Sequence, residues 1–125
     1  MKRILVILAL IAATAAVSSP VKKNQDGTVS IDTSTLKTVE GCFGPTPLVI
    51  SLDSKGLVSS IEALPNDETP SYWQAVLDGL VNAFIGLPAK DVPALEVDAV
   101  SGATYSSEGF ISNVKAGIGY YLENL

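Results

Sequence analysis

Leu48-Val49-Ile50-Ser51-Leu52-Asp53-Ser54-Lys55-Gly56-Leu57, continued by Val58 to Leu64, is a hairpin legible in the alternation of its side chains. Leu48, Ile50 and Leu52 fall on one face and Val49 and Ser51 on the other, the period-two pattern of a half-buried strand. Asp53-Ser54-Lys55-Gly56 supplies the turn, and Leu57 to Leu64 returns as its partner. Downstream the period changes. Pro65 to Pro70 breaks the strand, and Thr69-Pro70 places a capping hydroxyl before a proline suited to the first helical position. Trp73, Val76, Leu77, Leu80, Val81 and Phe84 then recur at spacings of three and four, a helical stripe that ends at Gly86-Leu87-Pro88. A loop follows to Val100, with a short extended piece expected near Leu95 to Val97. From about Ser106 to Asn124 a second amphipathic helix is predicted. It carries Phe110, Val114, Gly117 and Tyr121 on one line and Ile111, Ile118 and Leu122 beside it.

Upstream of the hairpin, Thr28 to Asp32 suits a first strand and Leu36 to Phe43 a second, with Gly41 and Gly44 marking a bend. Pro45 and Pro47 delay the next strand to Leu48. Strands first and helices after predict an α+β fold, an antiparallel sheet with two amphipathic helices packed on one side of it, in a single small domain. Residues 28–125 form that domain. Pro20 to Gly27 is polar and aperiodic, so residues 19–27 are expected as a flexible lead-in.

Composition narrows the chemistry. The 125 residues, 47% of them hydrophobic, suffice for one modest core. The chain has no histidine, which excludes Ser-His and Cys-His catalysis and imidazole zinc sites. One cysteine, Cys42, excludes an internal disulfide and any cluster of cysteine ligands. With no lysine or arginine beside it to lower the thiol pKa, Cys42 is read as a small core residue without a role. Eight basic against thirteen acidic side chains, a formal charge of −5 with no basic run, argue against nucleic acid as a partner.

Lys2 and Arg3 precede an apolar run from Ile4 to Val17, followed by small residues and Pro20, the three-part layout of a secretory signal peptide over residues 1–18. The run is shorter than the about 20 residues a bilayer crossing needs. Small residues permit cleavage before Ser19 or before Ala16, and an uncleaved signal would instead tether the chain. Loss of Lys2 and Arg3 takes two from the eight basic side chains against thirteen acidic ones, leaving a formal −7. The protein is therefore expected to be exported, periplasmic or associated with the cell envelope, with no membrane span once the signal is removed.

The segment Asp98-Ala99-Val100-Ser101-Gly102-Ala103-Thr104-Tyr105 lies where a loop enters the terminal helix. Ser101 and Thr104 bear hydroxyls, and Gly102 and Ala103 are nearly bare, so a bulky planar group could approach the backbone. A helix N-terminus offers free N–H groups and partial positive charge suited to phosphate. The same residues also suit a simple turn with Ser or Thr as a helix cap, and spacing alone does not choose between the two.

Asp98-x-x-Ser101-Gly102-Ala103-Thr104 resembles the flavinylation motif of the FMN-binding domain family. That family is found in the C subunit of sodium-translocating NADH:quinone reductase, the G subunit of the Rnf electron-transport complex and many small exported proteins. Five fixed positions, each met about once in 10 to 20 residues, coincide by chance in far fewer than about one in a thousand chains of this length. Gly41-Cys42-Phe43-Gly44-Pro45, with Asp53 and Gly56 at the hairpin turn, is similar to the glycine-rich opening of that domain, and Glu68-Thr69-Pro70 resembles its later Glu-Thr element. The likeness runs from about Val39 to Leu125. Cys42 departs from it, standing where members more often carry an aromatic residue or glycine.

The resemblance implies FMN joined through its phosphate to Thr104 as a phosphoester, by a separate exported flavin transferase. It implies recognition of Asp98 by that enzyme, and Glu68 and Thr69 near the ring or ribityl chain. Ser101, Gly102 and Ala103 would then shape the site and Tyr105 cover the flavin edge. Each also has a plain structural reading: Asp98 as a solvated acid, Glu68 and Thr69 as helix caps, Tyr105 as packing at the helix start. Trp73, which begins the apolar stripe, is read as core rather than as a stacking partner. A covalent tether would keep the flavin where free ligand is dilute. The expected function is electron relay between a membrane reductase and an exported redox partner, a carrier more than a catalyst. The alternatives are a small flavin-dependent reductase, or a binding module that kept the fold without the cofactor.

Overall fold

The computed structural model describes residues 19–125. The expected signal peptide, its cleavage sites and any tether it would form lie outside the described residues. Four strands, β1 (Val21–Lys23), β2 (Val29–Asp32), β3 (Leu48–Leu52) and β4 (Val58–Ala63), form one antiparallel sheet in chain order. Helix α1 (Pro70–Phe84), a short 3-10 turn (Ala89–Asp91) and helix α2 (Thr104–Glu123) follow. This is the expected α+β architecture, with a single small core between sheet and helices.

The hairpin forms as its alternation requires. Leu48, Ile50 and Leu52 are fully buried while Val49 and Ser51 are half-buried. On the return strand the buried residues are Val58 and Ile61, which strict alternation would put on opposite faces. A register shift at Ser51/Leu52 pairs Leu52 with Val58 and Ser51 with Ser60, so Ser59 is the extra residue of a bulge. That bulge turns both apolar side chains inward. The start of β4 is covered by the chain leaving α1: Val58 donates to the Leu87 carbonyl at 2.8 Å, and Gly86 donates to that of Val58 at 2.8 Å.

Three sequence expectations are corrected. The lead-in is not loose, because Val21–Lys23 pairs with Val29–Ile31 as an edge strand. Its two lysines, part of a polar, aperiodic run, are of the kind that edge strands carry. With β1 and β3 on either side, β2 has no edge left for a strand at Leu36 to Phe43. That segment runs as turns and bends whose amides bond side chains instead: Val39 N–H to Ser112 Oγ at 2.8 Å, and Cys42 and Phe43 N–H to Glu68. No strand forms at Leu95 to Val97.

Both helices bury the predicted stripes. In α1, Trp73, Val76, Leu80 and Phe84 are buried, with Leu77 and Val81 packed partly against the core. Pro70 begins α1, but Thr69 makes no side-chain capping bond. In α2, Phe110, Val114 and Ile118 are fully buried. Phe110 contacts Trp73 edge-on and tilts against Phe84, both with ring centroids 6.2 Å apart, which ties the helices together. Gly117 lets α2 approach the sheet: a Cβ there would stand 2.9 Å from Ile50 Cδ1 and 2.9 Å from Thr33 Cγ2. Among the described residues no helix is long and apolar enough to cross a membrane.

Candidate functional site at the start of the second helix

Hydroxyl and amide side chains hold α2 in place. Asn113, fully buried, accepts from Thr33 Oγ1 at 2.6 Å and donates to Thr46 Oγ1 at 3.2 Å and to the Gly109 carbonyl at 2.9 Å. Thr33 Oγ1 in turn accepts the Leu48 N–H at 2.9 Å. One helix side chain thus reaches both β2 and the approach to β3, with its polar atoms satisfied. Farther toward the helix start, Ser107 Oγ accepts the Val100 N–H at 2.9 Å. That bond anchors the incoming loop, because the helix itself lacks a side-chain cap.

The loop makes one turn before the helix. Ala103 N–H bonds the Val100 carbonyl at 2.9 Å, and between them Gly102 adopts φ +81°, a left-handed conformation that favours glycine. Among the described residues nothing would meet a Cβ at Gly102 within 4 Å, so they leave the space beside it open. Ala103 is buried, while Ser101, Gly102, Thr104 and Tyr105 are exposed. α2 begins at Thr104, slightly earlier than predicted, with no acidic residue in its first turn. Its leading N–H groups and partial positive charge therefore lie beside Thr104 without a side-chain cap.

A shallow cavity of about 90 Å³ lies here, lined by Gly102 to Ser106 together with Cys42 and Tyr72. Two exposed aromatic residues line it, Tyr72 and Tyr105, at 55% and 66% exposure, and Phe43, 61% exposed, follows Cys42 in the chain. Of the predicted site residues, Gly102, Ala103, Thr104 and Tyr105 come together at this cavity. Asp98 and Ser101 are exposed on the approach loop and do not line it. Thr69 is half-buried at the start of α1 and does not line it either.

Glu68 sits behind the wall. It is buried, and its carboxylate accepts the Cys42 N–H and the Phe43 N–H, each at 2.7 Å, and the Ser106 hydroxyl at 2.5 Å. Burial alone would raise its pKa, but the bonds from Ser106, Phe43 and Cys42 together outweigh that and hold it below the ordinary 4.5. The side chain caps neither helix as an N-cap residue. It joins a loop to α2.

Cys42 is corrected from core to surface: it is exposed and lines the cavity. The backbone route that presents it is set by Glu68, a partner 26 residues away, and nothing in the local sequence reports that. Tyr72 and Ser106 are cavity residues the sequence reading did not single out. Tyr72 could have been found from its place off the apolar stripe of α1. Trp73 is core as expected, buried against Phe110. Among the described residues no cluster of acidic or cysteine side chains could hold a metal ion.

A model of the FMN-binding domain family matches residues 41–119, from the glycine of the clamped turn through the cavity and most of α2. No curated protein matches the chain.

Proposed function

The chain belongs to the FMN-binding domain family, and from that premise we propose that it is an exported flavoprotein carrying FMN as a phosphoester on Thr104 and relaying electrons. The observation that carries this reading is the setting of Thr104: an exposed hydroxyl at the uncapped start of α2, beside an open glycine turn, inside the span of the family match. The two serine hydroxyls that follow it within the first turns of α2 are otherwise engaged, whereas Ser101 is exposed on the approach loop and does not line the cavity. Ser106 is buried and donates to Glu68, and Ser107 is buried and accepts from Val100.

The residues present suit the group. A phosphate on Thr104 would lie at the leading N–H groups of α2, whose own first turn carries no acidic side chain; the carboxylate bonded to that turn, Glu68, is buried and engaged by Ser106 and two loop amides. Tyr72 and Tyr105, exposed aromatic residues of the cavity lining, suit contact with a planar ligand. Gly102 and Ala103 leave room for the transferase, which would move FMN from a flavin dinucleotide donor: the donor's phosphoanhydride bond breaks as the Thr104 oxygen bonds the phosphorus, the nucleoside monophosphate leaves with the hydroxyl proton, and the chain gains FMN less one water.

Bound FMN supplies one- and two-electron redox chemistry. What this chain contributes is attachment and exposure. The cavity of about 90 Å³ is well under the about 300 Å³ at which enclosed ligand pockets begin, so these residues hold a ligand at the surface. A surface-held redox group suits exchange with protein partners, a membrane or exported donor and acceptor, more than a reductase that encloses a substrate of its own.

The test is the intact mass of protein exported by a host with an active flavin transferase. The expected result is a gain of one FMN less one water, absent after Thr104→Val and kept after Thr104→Ser. An unmodified wild-type mass would defeat the covalent reading.

A further inference from the structure

Building on Thr104 as the acceptor, we propose that Glu68 is a positioning residue for its hydroxyl, holding the Gly41–Gly44 turn against the first turn of α2 and so fixing the walls of the cavity that Thr104 lines. Glu68 Oε1 takes both the Cys42 N–H at 2.7 Å and the Ser106 hydroxyl at 2.5 Å, and Oε2 takes the Phe43 N–H at 2.7 Å. Cys42 and Ser106 both line the cavity, and Thr104 lies in the same helical turn as Ser106. One carboxylate thus connects the loop side of the site to the helix side.

The backbone is shaped around this link. A Cβ on Gly41 would stand 2.7 Å from the Glu68 carboxyl carbon, so only glycine lets the carboxylate reach past it. On the other side a Cβ on Gly109 would meet Gly41 N at 3.0 Å and Thr46 Oγ1 at 2.8 Å. Gly41 is therefore pressed between Glu68 and α2. The turn's own closing bond, Gly41 N–H to the Gly44 carbonyl at 2.8 Å, is internal and does not attach it to the helix. A neutral acceptor would bind the two amides less strongly, because hydrogen bonds to an ionised carboxylate are the stronger kind.

The experiment uses Glu68→Gln, Ser106→Ala and the double variant, each checked for folding by thermal unfolding. Each is offered as varied substrate to a purified flavin transferase, with a flavin dinucleotide donor held at saturation. Positioning predicts that kcat of transfer falls about tenfold in either single variant with KM nearly unchanged. The double variant falls no further than the worse single one, because both cut one link; independent losses would reach about a hundredfold. In the unloaded chain, Glu68→Gln speeds amide exchange at Cys42 or Phe43 while that at Val39, held by Ser112, is unchanged. Wild-type chain that gains no flavin overturns the acceptor reading. Labelled wild type with folded variants transferring at the same kcat, or with losses that multiply, overturns the positioning role, as does unaltered exchange at both amides.

Discussion

Glu68 and Ser106, 38 residues apart in the chain, meet in a buried hydrogen bond of 2.5 Å between carboxylate and hydroxyl. The bond joins the segment before α1 to the first turn of α2, beside the exposed Thr104. Glu68 has a folded pKa below the ordinary 4.5, so the stability it contributes is fully present above 4.5 and is lost as pH falls through the lowered folded value. Glu68→Gln is expected to cost about 1–3 kcal/mol near neutrality and progressively less in acid. Urea midpoints of wild type and variant against pH check this, and parallel curves would contradict it.

Gly102→Ala separates conformation from crowding. The site has open space for a methyl group, but φ +81° is strained for any residue with a Cβ. A loss of about 1–2 kcal/mol is expected, from backbone alone. Flavin loading measured by intact mass should fall with it, since the turn delivers Thr104 to the cavity.

Gly117→Ala tests the opposite situation. A methyl group there meets Ile50 and Thr33 at 2.9 Å, inside the helix–sheet contact. The gain in helix propensity of about 1 kcal/mol is outweighed by overpacking of about 1–3 kcal/mol. A lowered Tm is expected, whereas Gly119→Ala, which meets nothing within 4 Å, should raise it.

Trp73 Nε1 is buried with no hydrogen-bond partner among the described residues. Trp73→Phe removes that unpaired donor while leaving a ring to face Phe110, so the lost volume and the relieved polar burial oppose each other. The change is expected to stay within about 1 kcal/mol by denaturant unfolding, against about 3–5 kcal/mol for Phe110→Ala.

Side-chain periodicity was enough to place the hairpin and both helices, because Leu48, Ile50, Leu52, Trp73, Val76, Leu80, Phe84, Phe110, Val114 and Ile118 are buried as their spacing says, while Leu77, Val81, Ile111, Tyr121 and Leu122 are only partly buried. The turn at Gly102 was likewise readable, since its residues are contiguous and small and act locally. The rest depended on partners distant in the chain. Lys22 and Lys23 look like a solvated tail until β2 offers them an edge, and Leu36 to Phe43 looks like a strand until that edge is taken. Cys42 reaches the cavity because a buried carboxylate 26 residues on accepts its amide. Local spacing records which face a residue turns inward; which backbone amides are left to seek a side chain is settled only when sheet edges and helix ends compete for hydrogen bonds in the packed molecule.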